Sequence, residues 1–268
     1  MNSPLPVSVY IVAHNEERNI ARVLASVQGW TSEIVVAINN CTDATERIAR
    51  SFGVRVEHVE WVGYRDTQIA ALSLVRQPWV LALDADEEVS VELKEEICKF
   101  FQHQEDKQFN GAEFPRKTWF LGKWIRHGDW YPDTQLRLFR HGAGQWGGSP
   151  EHYRIELQGS CKRMQGELHH FSNPTIGSLV GKINVFSDYF LTRQLEKGAT
   201  WSLAGTISRP LWRFVRAYFL RLGFLDGFPG LFIAVSTFYS TFIRYCRLYE
   251  HRYNLPPPVQ KNGGDRSE

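Results

Sequence analysis

A chain of 268 residues with 43% hydrophobic and 22% charged residues holds enough apolar material for one large α/β domain plus an appendage, which excludes both wholesale disorder and a small stapled module. A net charge of +2 gives no bulk reason to expect a nucleic-acid partner. The four cysteines, Cys41, Cys98, Cys161 and Cys246, are scattered without a C-x-x-C pair or zinc spacing, and no signal peptide is recognisable, so a reduced, cytoplasmic setting is expected.

In chain order, residues 7–13 form a short β-branched run that predicts a buried strand. Ile20, Val23, Leu24 and Val27 then recur at helical spacing up to Gly29. Residues 33–38 predict a second strand. Thr42 and Asp43 are cap candidates for a helix with Ile48 and Phe52 on its apolar face and Gly53 as its stop. Residues 54–61 alternate as a third strand, 67–75 as a helix and 79–83 as a fourth strand. Ser90 suits the cap of a helix bearing Leu93, Ile97 and Phe101. This rhythm predicts a mainly parallel sheet with helices on both faces. From residue 105 the rhythm breaks into a segment rich in Gly, Trp and His with short strands such as 134–139, and from residue 176 the chain turns helical. The expected organisation is a catalytic domain over 1–175, split into halves 1–104 and 105–175, a helical region over 176–255, and a disordered tail over 256–268.

The sharpest chemical feature is Asp84-Ala85-Asp86-Glu87, directly after the fourth strand. Open parallel sheets bind ligands beyond the carboxyl ends of their strands. Residues two apart on an extended chain share a side, so Asp84 and Asp86 are expected to face one ligand. Neighbouring carboxylates repel unless a cation lies between them, and Mg²⁺ or Mn²⁺ takes such oxygens while bridging to phosphates. The competing reading is an acidic loop capping the next helix.

Three segments in order resemble family 2 glycosyltransferases of the GT-A fold: residues 9–17 (VYIVAHNEE), 39–45 (NNCTDAT) and 79–88 (WVLALDADEE). The resemblance implies that Ala13, His14, Asn15 and Glu16, then Asn39, Gln68, Asp84 and Ala85, surround a nucleotide. It also implies that Asp86, with Asp84 beside it, reaches a divalent metal, and His169-His170-Phe171 resembles the family's His-Tyr, which makes His170 a third metal ligand or a diphosphate donor, with a surface histidine as the alternative. The family usually places an acid at the end of the second strand, where this chain has Asn39; an amide still hydrogen-bonds to a uracil edge.

Residues 119–124, 128–133 and 135–140 resemble the subgroup that includes lipopolysaccharide core glucosyltransferases. Trp124, Trp130 and Tyr131 suit the C–H face of a sugar, and Arg137 and Arg140 suit diphosphate oxygens; simple aromatic packing and structural salt bridging are the alternatives. Inverting transfer needs a general base, for which Glu151 leads Asp133 and Asp129 because Glu151 matches the Glu of the subgroup's His-Glu pair.

Between residues 209 and 252 stand seven arginines against Asp226 and Glu250, interleaved with aromatics. No apolar run reaches the roughly 18 residues of a spanning helix; residues 228–243 come nearest and are interrupted by Pro229, Ser236, Thr237, Ser240 and Thr241. An interfacial contact with anionic lipid on the inner face of a membrane is expected, with a helical hairpin packed on the catalytic domain as the alternative. The whole predicts an inverting, metal-dependent transfer of a hexose, glucose foremost, from a UDP-sugar to a lipid-linked saccharide such as a lipopolysaccharide inner core. A sugar nucleotidyltransferase and a non-catalytic membrane-surface scaffold are the other readings.

Overall fold

Strand β1 (Leu5–Ala13) is apolar along almost its whole length, as a strand covered on both faces must be. The computed structural model describes residues 3–149, 152–172 and 175–253; the predicted tail over 256–268 and the base candidate Glu151 lie outside them. Chain order continues through α1 (Ile20–Val27), β2 (Thr31–Ile38), α2 (Thr45–Ser51), β3 (Arg55–His58), α3 (Tyr64–Leu72), β4 (Trp79–Asp84), β5 (Glu87–Val89) and α4 (Val91–Gln102). Then follow β6 (Gly111–Phe120), β7 (Lys123–Trp124), β8 (Asp133–Arg140), β9 (Gly144–Ser149), β10 (His152–Leu157), β11 (Cys161–Arg163) and β12 (Leu168–His170).

The main sheet runs β3-β2-β1-β4-β8-β6-β12-β5, with β7 and β11 also paired to β6. Its first four strands are parallel, while β8 is antiparallel to both β4 and β6. The chain winds outward from β1 through β2 and β3, then returns to place β4 on the other side of β1. That reversal opens a crevice at the carboxyl ends of β1 and β4. The mixed α/β arrangement is GT-A-like.

Period-two alternation divides the core. Val7, Val9, Ile11 and Ala13 face one layer with Ile20, Val23, Leu24 and Val27 of α1 and Leu93, Ile97 and Phe100 of α4. Tyr10 faces the other, with Val35, Ala37, Val80, Ala82 and Phe139, against Ala71 of α3 and the β9–β10 hairpin residues Trp146 and Ile155.

Local chemistry accounts for most boundaries. Ser90 Oγ accepts from the Leu93 N–H at 3.1 Å and caps α4. The inward face of α4 uses Phe100 rather than Phe101, which stands edge-on to Trp79 at 5.5 Å. Helix α3 starts three residues before the predicted 67 because Gly63 takes φ +100°, a left-handed turn open to glycine. Strand β3 is shorter than predicted.

A second compact unit begins at Ile176. It contains α5 (Ile176–Glu196), α6 (Leu203–Val215), a π-helical turn (Arg216–Leu220), a 3₁₀ turn (Gly223–Asp226) and α7 (Phe228–Tyr253). Ser202 caps α6 through the Gly205 N–H at 3.1 Å. At the α6–α7 corner a Cβ on Gly230 would collide with the Gly223 carbonyl oxygen, so the turn closes only with hydrogen at that position. Among the described residues, no helix is long and apolar enough to cross a membrane.

Candidate active site at the carboxyl ends of β1 and β4

The loops after β1 and β2 are latched to each other. The Asn39 N–H donates to the Ala13 carbonyl at 3.2 Å, and His14 Nδ1 donates to the Asn39 carbonyl at 2.8 Å. The Thr42 N–H donates to Asn15 Oδ1 at 2.8 Å, and the Glu16 N–H to Thr45 Oγ1 at 2.7 Å. Asn15 and Asn40 sit in the left-handed region, at φ 54° and 42°, which asparagine tolerates better than most residues. These are the residues expected around a nucleotide. His14 and Asn15 are exposed, whereas Asn39 is buried.

Asn39 Nδ2 is a buried donor with no hydrogen-bond partner, and Gln68 Oε1 is a buried acceptor without one. Unpaired buried polar atoms cost about 1–3 kcal/mol each, so an edge that supplies a matching donor and acceptor gains on binding. Gln68 is held by its other amide atom, Nε2 donating to Asp84 Oδ1 at 3.1 Å.

The acid cluster departs from its expected geometry. Strand β4 ends at Asp84, and Ala85 and Asp86 form a turn before β5, so the two aspartates are not alternate residues of an extended strand. Asp84 Oδ2 accepts from Arg137 at 2.6 Å, and with Gln68 on Oδ1 both of its oxygens are engaged. Glu87, fully buried, accepts from Arg137 at 2.8 Å and from Arg116 at 2.9 Å. Its second oxygen accepts the Asp84 backbone N–H at 3.0 Å. Burial raises the Glu87 carboxyl, but Arg137 and Arg116 outweigh it and hold the group below the usual carboxylate range.

Among the described residues no arginine or lysine forms an ion pair with Asp86, whose neighbour is His170. Burial, then the charges of Asp84, Glu87 and Glu16, push its carboxyl up to about 8. His170 Nε2 lies 3.6 Å from Asp86 Oδ2, and its Nδ1 faces Thr118 Oγ1 at 3.2 Å. Burial, then the Arg116 charge, pulls His170 down to about 3, leaving a neutral imidazole able to ligate.

Among the described residues no three carboxylates, histidines or cysteines converge as a metal cage, so the expected trio of Asp86, Asp84 and His170 does not form one. Asp86 and His170 nevertheless fit Mg²⁺ or Mn²⁺, which is commonly held by one or two protein groups plus substrate phosphates and water.

The acceptor candidates divide. Asp133 is tied to Arg116 through Oδ2 at 2.6 Å and to Gln135 through Oδ1 at 2.6 Å, so both of its oxygens are already engaged. Arg137 is buried against Asp84 and Glu87 and orients them rather than reaching for diphosphate. Arg140 stands opposite Trp79, at the start of β4, five residue steps or about 16 Å along the strand from Asp84. It packs over the Trp79 ring at 5.1 Å and is outside the site.

Trp130 packs on Phe120, and Trp124 lies between Trp119 and His169. Tyr131 donates to Glu167 at 2.9 Å, and Glu167 also takes Lys117 at 2.5 Å. Asp129 is half-buried in the turn that carries Trp130. This layer is a packed aromatic shelf with Trp119 exposed on it.

Sequence reasoning missed Glu87, Arg116, Tyr10 and Trp146. Trp146 donates to the Tyr10 hydroxyl at 2.6 Å and fixes the β9–β10 hairpin to the sheet. The hairpin is held again by Tyr153 stacked on Tyr64 and by Arg65 donating to the Gly148 carbonyl. A Glu adjoining two aspartates, with isolated arginines in apolar strands, was the available signal for the buried network.

Known proteins resemble this chain along its length. An uncharacterized glycosyltransferase of Rickettsia typhi is 29% identical over 91% of this chain and 87% of its own. The lipopolysaccharide core biosynthesis glycosyltransferase LpsC of Rhizobium meliloti is 26% identical over 95% of this chain and 96% of its own. The crystal structure of S. aureus TarS 1-349 overlaps 93% of this chain and 92% of its own with a TM-score of 0.45 at 13% identity. The family described as glycosyl transferase family 2 matches residues 8–161. That match runs from the first strand through the acid turn to β11 and takes in more than half of the sequence, and the chain belongs to glycosyl transferase family 2.

Proposed function

We propose that this glycosyltransferase moves a hexose, glucose foremost, from a UDP-sugar to a saccharide on a lipid carrier such as a lipopolysaccharide inner core, with inversion at the anomeric carbon. The observation that carries the reading is the pairing of Asp86, in an acid-rich turn, with His170 at the end of β12, together with two buried amides that have unpartnered atoms. Asn39 and Gln68 take the base edge. Asp86 and His170 hold a divalent cation, which when bound offsets the charge of the leaving diphosphate. Arg137 keeps Glu87 ionised and holds both carboxylates in place. LpsC, by its name, acts in lipopolysaccharide core biosynthesis, which supports a saccharide acceptor.

In the reaction an acceptor hydroxyl oxygen attacks the anomeric carbon. The carbon–phosphate oxygen bond breaks, its electron pair leaves with UDP, and the hydroxyl proton passes to a carboxylate. Glu151 is the proposed base, since Asp133 is bound to Arg116.

The test is UDP release from UDP-hexoses with lipid-linked acceptors from membrane extracts. Acceptor-dependent release is expected, and Glu151→Gln should lower turnover by about 10²-fold or more with UDP affinity unchanged. Pyrophosphate release from UTP and a sugar phosphate would instead identify a nucleotidyltransferase.

We also propose that the α6–α7 corner rests on an anionic membrane surface at the cytoplasmic face. Phe219, Leu220, Leu222, Phe224, Leu225 and Phe228 are 44–64% exposed on this one corner, with Arg221 exposed among them. Apolar tips flanked by cations favour the headgroup boundary. Changing Phe219, Leu220 and Leu225 to serine removes about 1 kcal/mol each. Binding to anionic vesicles should fall roughly 10²-fold; unchanged binding defeats the assignment.

A further inference from the structure

The segment between β3 and α3 holds two aromatic rings out of the core. Trp61 is 43% exposed and Tyr64 56% exposed, with Val62 exposed between them. An apolar patch rimmed by polar residues marks a contact surface, and here the patch is rigidly built. The Val62 N–H donates to Thr67 Oγ1 at 3.3 Å. Arg65, paired with Asp66 at 2.8 Å, donates to the Gly148 carbonyl at 3.0 Å. Tyr64 lies parallel to Tyr153, with 6.2 Å between centroids and 7° between planes. Trp61 stands almost perpendicular to Tyr64, at 4.9 Å and 87°. Both rings are therefore fixed before any ligand arrives, and binding costs them little ordering entropy.

The pair stands at the mouth of the crevice. Residues 59–63 leave β3 at its carboxyl end, which parallel register aligns with the end of β2. Gln68 follows Tyr64 by one helical turn, about 5.4 Å, and donates to Asp84. Tyr153 carries the aromatic line inward. It packs on Trp146 at 5.3 Å, and burial, then the charge of Asp84, pushes its hydroxyl above the ordinary range. The line Trp61–Tyr64–Tyr153 thus runs from solvent toward the acid turn. It is separate from the aromatic shelf on β6 and β7, since β6 lies five strand spacings, about 24 Å, from β3 across the sheet.

We propose that Trp61 and Tyr64 form a subsite for a pyranose ring of the saccharide acceptor, beyond the sugar that is glycosylated. The assignment rests on the saccharide-acceptor reading above. A pyranose chair carries apolar C–H bonds on its face and hydroxyls around its rim. Two perpendicular rings cover a face and an edge of such a chair. A flat nucleobase stacks on only one of them, and its edge is already met by Asn39 and Gln68. Exposed Glu60 and half-exposed Asp66 flank the rings and accept from the rim hydroxyls.

The full chain, in chelator and without nucleotide, is applied to an array of immobilised bacterial core oligosaccharides, and the glycan bound best is then titrated by calorimetry. Trp61→Leu and Tyr64→Leu keep apolar volume and remove the flat face, so each should weaken glycan binding by about tenfold. Trp61→Phe should keep most of the affinity. Melting temperature and UDP affinity with Mn²⁺ should stay at wild-type values. Should Tyr64→Leu melt early for want of its stack on Tyr153, Trp61→Leu decides. In the UDP-release assay the leucine variants should raise the acceptor KM with kcat unchanged, as loss of uniform binding does. Glycan binding is read without donor or cation, so an inactive wild-type enzyme that binds glycan leaves the subsite standing. An active enzyme whose leucine variants bind glycan normally removes only the subsite. Wild-type protein that binds no glycan on the array overturns the proposal. So does a fall in UDP affinity, which would assign the rings to the base, or weaker binding of the leucine variants to anionic vesicles, which would assign them to lipid.

Discussion

Asp86→Ala should lower UDP release by at least about 10²-fold, the scale of losing one preorganised group that stabilises developing charge, and should leave the protein folded. Folding is spared because Asp86 is held at a cost to the fold: burial first, then the charges of Asp84, Glu87 and Glu16, disfavour its ionised form, and alanine removes that cost. The variant should therefore melt at or slightly above the wild-type temperature in chelator. It should lose the extra stabilisation that UDP with Mn²⁺ gives wild type, since a ligand raises stability only in proportion to its occupancy of the folded state. Differential scanning calorimetry with and without UDP and Mn²⁺, run beside the release assay, measures both effects. Full turnover of Asp86→Ala in excess chelator would remove the cation from the scheme.

Arg137→Met should act in the opposite way, on stability first. Its guanidinium is shared between Asp84 at 2.6 Å and the fully buried Glu87 at 2.8 Å. Removing one partner of a buried ion pair costs about 3–5 kcal/mol, because the remaining charge is left uncompensated. For a chain of this size that is roughly 10 °C in melting temperature. Arg116 stays on Glu87, so the lower half of that range is expected. Adding Glu87→Gln should restore part of the loss, a coupling that a double-mutant cycle in urea reads directly. A loss below about 1 kcal/mol is the value of a water-exposed pair and would mean that the network is solvated. Turnover should also fall, as Asp84 loses the partner that orients it.

The parallel half of the fold was legible because its signals are local. The unbroken apolar runs of β1 and β4, the 3–4 spacing in α1 and the Ser90 cap each follow from a few adjacent residues. The acid turn was legible in composition and misjudged in geometry. Asp84 and Asp86 were expected as alternate strand residues, whereas the strand stops at Asp84. The carboxylate that alternation hides is Glu87, and its partners Arg116 and Arg137 come from strands about 30 and 50 residues away. Such long-range pairings have no periodicity to read. Arg140 was misassigned for the same reason: its place at the far end of β4 is set by antiparallel register, which nothing between residues 134 and 139 announces. The second unit was legible as basic and aromatic.

The insertion of β8 between β4 and β6 has a consequence for synthesis. Strand β4 is complete at residue 84, yet the partner for its open side ends at residue 140. At 5–20 residues per second, roughly 3–11 s pass in which a nascent chain carries an apolar strand with one unpaired edge. Exposed edges of this kind invite pairing with other chains. The catalytic turn lies at the end of that same strand, so nascent chains stalled before residue 133 would be both inactive and adhesive, and yield on expression would depend on how quickly the ribosome crosses this interval.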